Sequence, residues 1–129
     1  MQFNQIKETC LYVQDLDRTE KFYSEILDLE VISRSKGRHI FFKAGTSVLL
    51  CFIAEATKQE NNLPGHFGEG NMHIAFELPK EKYDDTKAEL KSAGIEIEHE
   101  QQWSDEYRSF YFRDPDGHSI EIVPAGMWD

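Results

Sequence analysis

The sequence predicts an α+β fold built from two tandem βαβββ modules. Three observations carry this prediction. Apolar and polar residues alternate in eight short segments, the signature of half-buried strands. In each half, one segment with helical spacing follows the first strand. A stretch with no periodicity, residues 55–70, divides the chain into halves of similar length, residues 6–54 and 71–123.

Taken in order, Ile6 to Val13 is the first strand, with Thr9, Leu11 and Val13 on one face and Ile6, Glu8, Cys10 and Tyr12 on the other. A helix follows from about Arg18 to Leu27, with Asp17 as its expected N-cap, Phe22, Ile26 and Leu29 at helical spacing, and Tyr23 and Leu27 beside them. Leu29–Ser35, Arg38–Ala44 and Thr46–Ala54 are the next strands, separated by Lys36-Gly37 and by Ala44-Gly45. Glu55 to Gly70, rich in Asn, Pro and Gly, is expected to be a mobile linker. The second half opens with the strand Asn71–Leu78. Pro79 then starts a helix running to about Ala93, with Tyr83, Leu90 and Ala93 inward and Gly94 ending it. Ile95–His99, Tyr107–Arg113 and His118–Val123 complete the module. The last two strands are joined by Asp114-Pro115-Asp116-Gly117, a turn in which proline presets one position and glycine accepts a positive φ. Residues 1–129 are expected to form a single domain.

The chain carries a formal net charge of −10, which argues against nucleic-acid binding and against docking on an anionic membrane. Cys10 and Cys51 lie in apolar runs without metal-site spacing, so both are expected to be buried as small hydrophobes. The N-terminus lacks the layout of a signal peptide and no apolar run reaches the length of a membrane span, which makes a cytoplasmic location the expectation.

Glu8, His73 and Glu121 interrupt otherwise apolar strands. Each lies on the face opposite its strand's apolar row: Leu11 and Val13, Ile74 and Phe76, Ile120 and Ile122. Singly, each has a plain structural explanation: an edge glutamate beside Lys7, a hydrogen-bonded histidine, a carboxylate paired with an arginine. Together, at equivalent positions of a duplicated unit, they suggest a metal site, since a divalent cation relieves the repulsion between two carboxylates. One imidazole and two carboxylates suit Fe(II), Mn(II), Ni(II) or Zn(II). Cys10 and Tyr12 share the Glu8 face, and Ser109 and Tyr111 share one strand face, so all four are candidates to line a substrate cavity. Arg108 is a further candidate, for an anionic substrate group. Phe41, Phe42, Phe52 and Trp103 are expected in the core or a cavity wall, and Trp128 packed against the tail.

Three segments, Glu8–Leu29, His73–Leu78 and Ser109–Val123, resemble the vicinal oxygen chelate superfamily, which includes glyoxalase I, extradiol dioxygenases, fosfomycin-modifying enzymes and bleomycin-binding proteins. The resemblance rests on Asp15-Leu16 followed by Phe22-Tyr23, and on the late run FRDPDG with Ile120-Glu121. It implies a glyoxalase-like cupped, incompletely closed eight-stranded sheet, with a metal held by Glu8, His73 and Glu121. It also implies a homodimer, since some relatives build the metal site between chains. The activity implied is that of a lyase, isomerase or dioxygenase in which the metal stabilises an enolate or oxyanion of a small oxygenated substrate, Glu121 acting at the reaction centre. The strand Ser47–Ile53 lacks the carboxylate that relatives with four ligands carry, which counts against a lactoylglutathione substrate. Pro124–Asp129 holds no cation for an anion pocket, which counts against fosfomycin modification. The alternative is a non-catalytic drug-sequestering protein of the bleomycin-resistance type, whose acidic, aromatic cavity would attract a cationic planar molecule.

Overall fold

The computed structural model describes all 129 residues. They form two compact units, Met1–Gly70 and Asn71–Asp129. The first contains β1 (Glu8–Val13), α1 (Leu16–Glu20) continuing into a π-helical segment (Lys21–Ile26), β2 (Glu30–Ser35), β3 (His39–Ala44), β4 (Ser47–Ile53) and α2 (Ala54–Lys58). The second contains β5 (His73–Leu78), a 3₁₀ turn (Lys80–Lys82), α3 (Tyr83–Ser92), β6 (His99–Gln102), β7 (Arg108–Arg113) and β8 (Ser119–Pro124). Each unit has one open four-stranded mixed sheet, ordered β1-β4-β3-β2 in the first and β5-β8-β7-β6 in the second. The opening strand runs parallel to the closing strand in both, and the remaining pairs are antiparallel. The tandem βαβββ expectation holds.

Alternation along the strands decides which face is buried. In the first unit Leu11, Val13, Ile40, Phe42, Leu49 and Cys51 fill one face. Phe22 and Tyr23, on the helical segment, complete that core, with the Tyr23 and Phe42 rings 5.5 Å apart. In the second unit Ile120, Ile122, Phe110 and Phe112 are buried, and Tyr83 of α3 meets Phe110 edge-on at 5.2 Å. Each such side chain contributes roughly 1.5–3 kcal/mol by leaving water.

Several local expectations are corrected. Asp15, not Asp17, caps α1: its backbone is extended and its carboxylate accepts the Arg18 N–H. Asp17 instead pairs with Arg34. The linker is not structureless, because α2 occupies its start and the loop beyond is clasped back: the Thr57 hydroxyl donates to the His66 carbonyl at 2.8 Å, and the His66 N–H donates to the Thr57 carbonyl at 2.9 Å. Pro79 keeps an extended ψ of 136° and stands before the 3₁₀ turn, so α3 begins at Tyr83. Ala93 is exposed, as are Cys10 in part and Trp128 almost wholly. The sixth strand is His99–Gln102 rather than Ile95–His99, because its pairing with β7 runs from His99 opposite Tyr111 to Gln102 opposite Arg108.

The turn between β7 and β8 is held by one carboxylate. Asp114 Oδ1 accepts the Asp116 N–H at 2.9 Å and the His118 N–H at 2.8 Å. The Asp114 carbonyl accepts from Gly117, whose φ of +83° suits the left-handed position. His118 is buried, and its Nδ1 accepts the Met72 N–H at 2.9 Å while the Ser119 N–H donates to the Met72 carbonyl at 2.8 Å. The turn therefore fixes β8 to β7 and to the start of β5. Asp114→Ala leaves two N–H groups without their acceptor and should lower stability by about 1–3 kcal/mol in urea unfolding. Asp114→Asn, which keeps one acceptor oxygen, should cost less; an equal loss would mean that the carboxylate acts by charge and not by these bonds.

Candidate functional site

The polar face of the second sheet follows from its register. Ser119 of β8 pairs with His73 of β5 and with Arg113 of β7. Glu121 pairs with Ala75 and with Tyr111, and Tyr111 in turn with His99 of β6. Cross-strand partners share a face, so His73, Glu121, Tyr111 and His99 lie together on the side opposite the Ile120 and Ile122 core.

Glu121 is buried to 7% exposure, whereas the His73 side chain is half exposed. Their reactive atoms meet: His73 Nε2 lies 3.2 Å from Glu121 Oε2. The other ring nitrogen, Nδ1, lies 3.0 Å from the Ser119 carbonyl. A carbonyl only accepts, so Nδ1 carries a proton. When the imidazole is neutral its lone pair is then on Nε2, beside the carboxylate. Nitrogen and oxygen ligands about 2.1 Å from one ion, at angles near those of tetrahedral or octahedral coordination, stand roughly 3.0–3.4 Å apart. The donor pair fits a divalent cation by spacing, by ligand chemistry and by the carbonyl that orients the ring.

Tyr111 adjoins this pair, its ring 6.2 Å from that of His73 and 5.8 Å from that of His99. Burial, above all, pushes its phenol pKa up; the Ser109 hydroxyl pulls it down, and the Glu121 carboxylate, accepting the phenol proton, raises it again. Ser109 is fully buried, and its Oγ accepts the Trp103 indole N–H at 2.8 Å. Trp103 is thus neither core nor an unattached surface residue. Arg108 is on the opposite face: Gln102 is its partner on β6, its guanidinium lies 5.0 Å from the Tyr83 ring, and it pairs with Asp84 at 3.1 Å and Glu100 at 3.6 Å. The even-numbered positions of β7 face α3, which removes Arg108 from the face that bears Ser109 and Tyr111.

In the first unit Glu8, Cys10 and Tyr12 share a face, opposite Val48, Leu50 and Phe52 of β4. The linker loop contributes His66, whose Nδ1 lies 2.7 Å from the Tyr12 hydroxyl and whose ring meets Phe52 at 4.7 Å. Burial, then the Cys10 thiol beside it, raises the Tyr12 phenol pKa. His39 stacks on Phe41 at 4.0 Å on the same side, with burial and Arg38 holding its pKa down. Sequence reasoning missed the Tyr12–His66 contact because it joins a strand to an aperiodic loop; the signal present was a histidine between Gly65 and Phe67.

The two modules differ at the matching point. Glu121 sits opposite the third residue of β5, and the residue opposite the third residue of β1 is Leu50. Tyr111, beside Glu121, corresponds to Phe41, beside Leu50. Of the three proposed ligands the structure brings His73 and Glu121 together. Glu8, the first residue of β1, belongs to the other unit, and no three His, Cys, Asp or Glu side chains of the chain form a cluster able to hold a metal.

Comparison with known proteins agrees with this architecture. Residues 5–122 match the family model of the Glyoxalase/Bleomycin resistance protein/Dioxygenase superfamily. The fosfomycin resistance protein FosX of Listeria innocua is 34% identical over 126 residues, covering 91% of this chain and 86% of the relative. The metallothiol transferase FosB of Staphylococcus epidermidis is 29% identical over 133 residues, covering 100% and 87%. Among solved structures, a lactoylglutathione lyase from Agrobacterium tumefaciens superposes with a TM-score of 0.91 at 34% identity, covering 96% of each chain. A mutant FosX from Listeria monocytogenes, solved with Mn(II) and 1S,2S-dihydroxypropylphosphonic acid, superposes with a TM-score of 0.69 at 26% identity, covering 95% of this chain and 90% of that one. No helix of the chain is long and apolar enough to cross a membrane. The paired βαβββ units, the closing-strand carboxylate beside the opening-strand histidine, and the family match over residues 5–122 together place the chain in the glyoxalase/bleomycin resistance protein/dioxygenase superfamily.

Proposed function

We propose that the chain is a divalent-metal enzyme acting on a small oxygenated substrate, with His73 and Glu121 as two of the metal's ligands. The observation that carries this reading is the 3.2 Å approach of His73 Nε2 to Glu121 Oε2, with Nδ1 already committed to the Ser119 carbonyl. The names of the relatives, a metallothiol transferase and fosfomycin resistance proteins among them, support metal chemistry on small molecules. Glu8 opens β1 as His73 opens β5, but it belongs to the other unit and is not counted in this ligand pair.

A bound ion would supply Lewis-acid polarisation of the substrate oxygens it holds. The protein groups do the rest. Glu121, held nearly out of water, presents a carboxylate on one side to His73 and on the other to the Tyr111 phenol. Tyr111 is placed to donate a hydrogen bond to a substrate oxygen or to Glu121. Arg113, the cation on this face, is engaged by Glu98 through two bonds of 2.8 and 3.1 Å, so it is not free to bind a substrate anion. That occupancy counts against fosfomycin modification, which leaves a lyase or isomerase as the reading.

Mn(II) titration of untagged protein, followed by electron paramagnetic resonance, tests the site. His73→Ala and Glu121→Ala should each weaken binding by at least about tenfold. His66→Ala should leave it within about twofold, since outer positions without a hydrogen bond to a ligand contribute little. A wild-type protein that binds no metal at neutral pH would refute the enzyme reading and leave the drug-binding one. Nitrogen-15 NMR of the metal-free protein supplies a second check: neutral His73 should carry its proton on Nδ1. The opposite tautomer would place N–H rather than a lone pair beside Glu121 and would count against His73 as a ligand.

A further inference from the structure

Arg38 stands where the linker meets the first sheet. Its guanidinium donates twice to Oε1 of Glu60 in the linker, from Nε at 3.1 Å and from one terminal nitrogen at 2.5 Å. Its other terminal nitrogen lies 2.5 Å from Nδ1 of His39. The same planar group rests against the Phe52 ring, with Cζ 5.5 Å from the ring centre. Both charges are largely withdrawn from water, the Arg38 side chain being 28% exposed and that of Glu60 16%. A guanidinium has donors and no acceptor, so Nδ1 of His39 must hold a lone pair. The imidazole proton is then on Nε2, which donates to Ser33 Oγ of β2 at 3.1 Å. His39 is thus held as one neutral tautomer, its ring stacked on Phe41 at 4.0 Å.

We infer that His39 makes the attachment of the linker to the first sheet proton-sensitive: Arg38 holds Glu60 while His39 is neutral and releases it when His39 is protonated. A proton on Nδ1 sets N–H against N–H and brings two positive charges together, so the imidazolium and the Arg38 bond exclude each other. Arg38 then turns away. Glu60 is bound by the same rigid fork, so that turn breaks its two bonds as well. The other anchor of the loop, the Thr57–His66 clasp, is made of a hydroxyl and backbone groups and carries no charge. Around His39 stand Arg38 and Phe41 of its own segment, Ser33 and Ser35 of β2, Phe52 of β4 and Glu60 of the linker, with His66 beyond, edge-on to Phe52. Burial, then Arg38, push the His39 pKa below its ordinary value of 6.5, against an upward pull from Glu60. The attachment is therefore closed at neutral pH and opens on the acid side of that value. With its folded pKa below the unfolded one, the unfolded chain takes up the proton first. The stability this network contributes is complete above pH 6.5 and is lost as pH falls through the folded pKa.

Nitrogen-15 NMR of the whole chain between about pH 8 and about pH 5 tests this. The Arg38 Nε–H resonance, identified by its loss in Arg38→Lys, should shift as His39 titrates. The heteronuclear NOE of the Glu60 and Asn61 amides should fall over the same interval. His39→Gln cannot take a proton, and its side-chain oxygen can still accept from Arg38. In that variant the Arg38 resonance should stay in place and both amides should keep their neutral-pH values. Loosening that persists in His39→Gln would assign the effect to His66, the other histidine of the first unit, and would overturn the inference. The wild type tests it without the variant. An Arg38 resonance that ignores the His39 titration overturns it. So does one that follows the titration while Glu60 and Asn61 stay rigid, because Glu60 would then have passed directly to the protonated ring. A His39 ring with its proton on Nδ1 at the upper end of the range would remove the premise.

Discussion

The Asp114–His118 turn is the constraint on which the second unit depends. Its carboxylate gathers the N–H groups of Asp116 and His118 and so sets which residue of β8 lies opposite which residue of β7. The buried His118 ring, bonded to the Met72 N–H, sets the parallel register with β5 in the same stroke. In a sheet a slip of one residue exchanges the two faces. Such a slip would send Glu121 into the Phe110 and Phe112 core and leave His73 without a counterpart. The approach of His73 to Glu121 is therefore a consequence of the turn four residues before that carboxylate begins to matter chemically.

The duplication is structural and not chemical. Both modules have the same strand order, but the positions that hold Glu121 and Tyr111 in the second hold Leu50 and Phe41 in the first. One module carries paired donors, backed by Ser119 and Ser109. The other carries an apolar and aromatic wall, with Glu8 at its rim and Tyr12 fixed by His66 at its far end. Donors in one sheet can thus be tuned by their neighbours in that sheet, independently of the other module.

Much of this was legible in the sequence because strand alternation is a strong local signal. It placed all eight strands, with only β6 displaced, and it put Glu8, His73, Tyr111 and Glu121 on the faces they occupy. What it could not resolve depends on partners distant in the chain. Asp15 and Asp17 are chemically equal as caps, and Arg34, from the next strand, claims Asp17. Alternation within β7 already sets Arg108 on the face opposite Ser109 and Tyr111, but its partners Asp84 and Glu100 lie elsewhere in the chain and no local pattern names them. The linker contains few apolar residues, so neither α2 nor the bond from Tyr12 to His66 has a periodic signature. Trp103 lies in a loop, where only geometry shows that its N–H is engaged.

The Thr57–His66 clasp has one more consequence. Both ends of the intervening segment are fixed, by the two bonds between those residues and by the close packing of Gly65, where a Cβ would come within 2.8 Å of the Lys58 carbonyl. Asn61 to Gly65 between them are exposed. Loop-closure entropy grows slowly, by about 0.6 kcal/mol for each doubling of length. Glu60 keeps its pair with Arg38, so the span from residue 61 to residue 64 is the insertion site: its length and composition are free to drift, or to be replaced by a grafted peptide, while His66 stays over Tyr12.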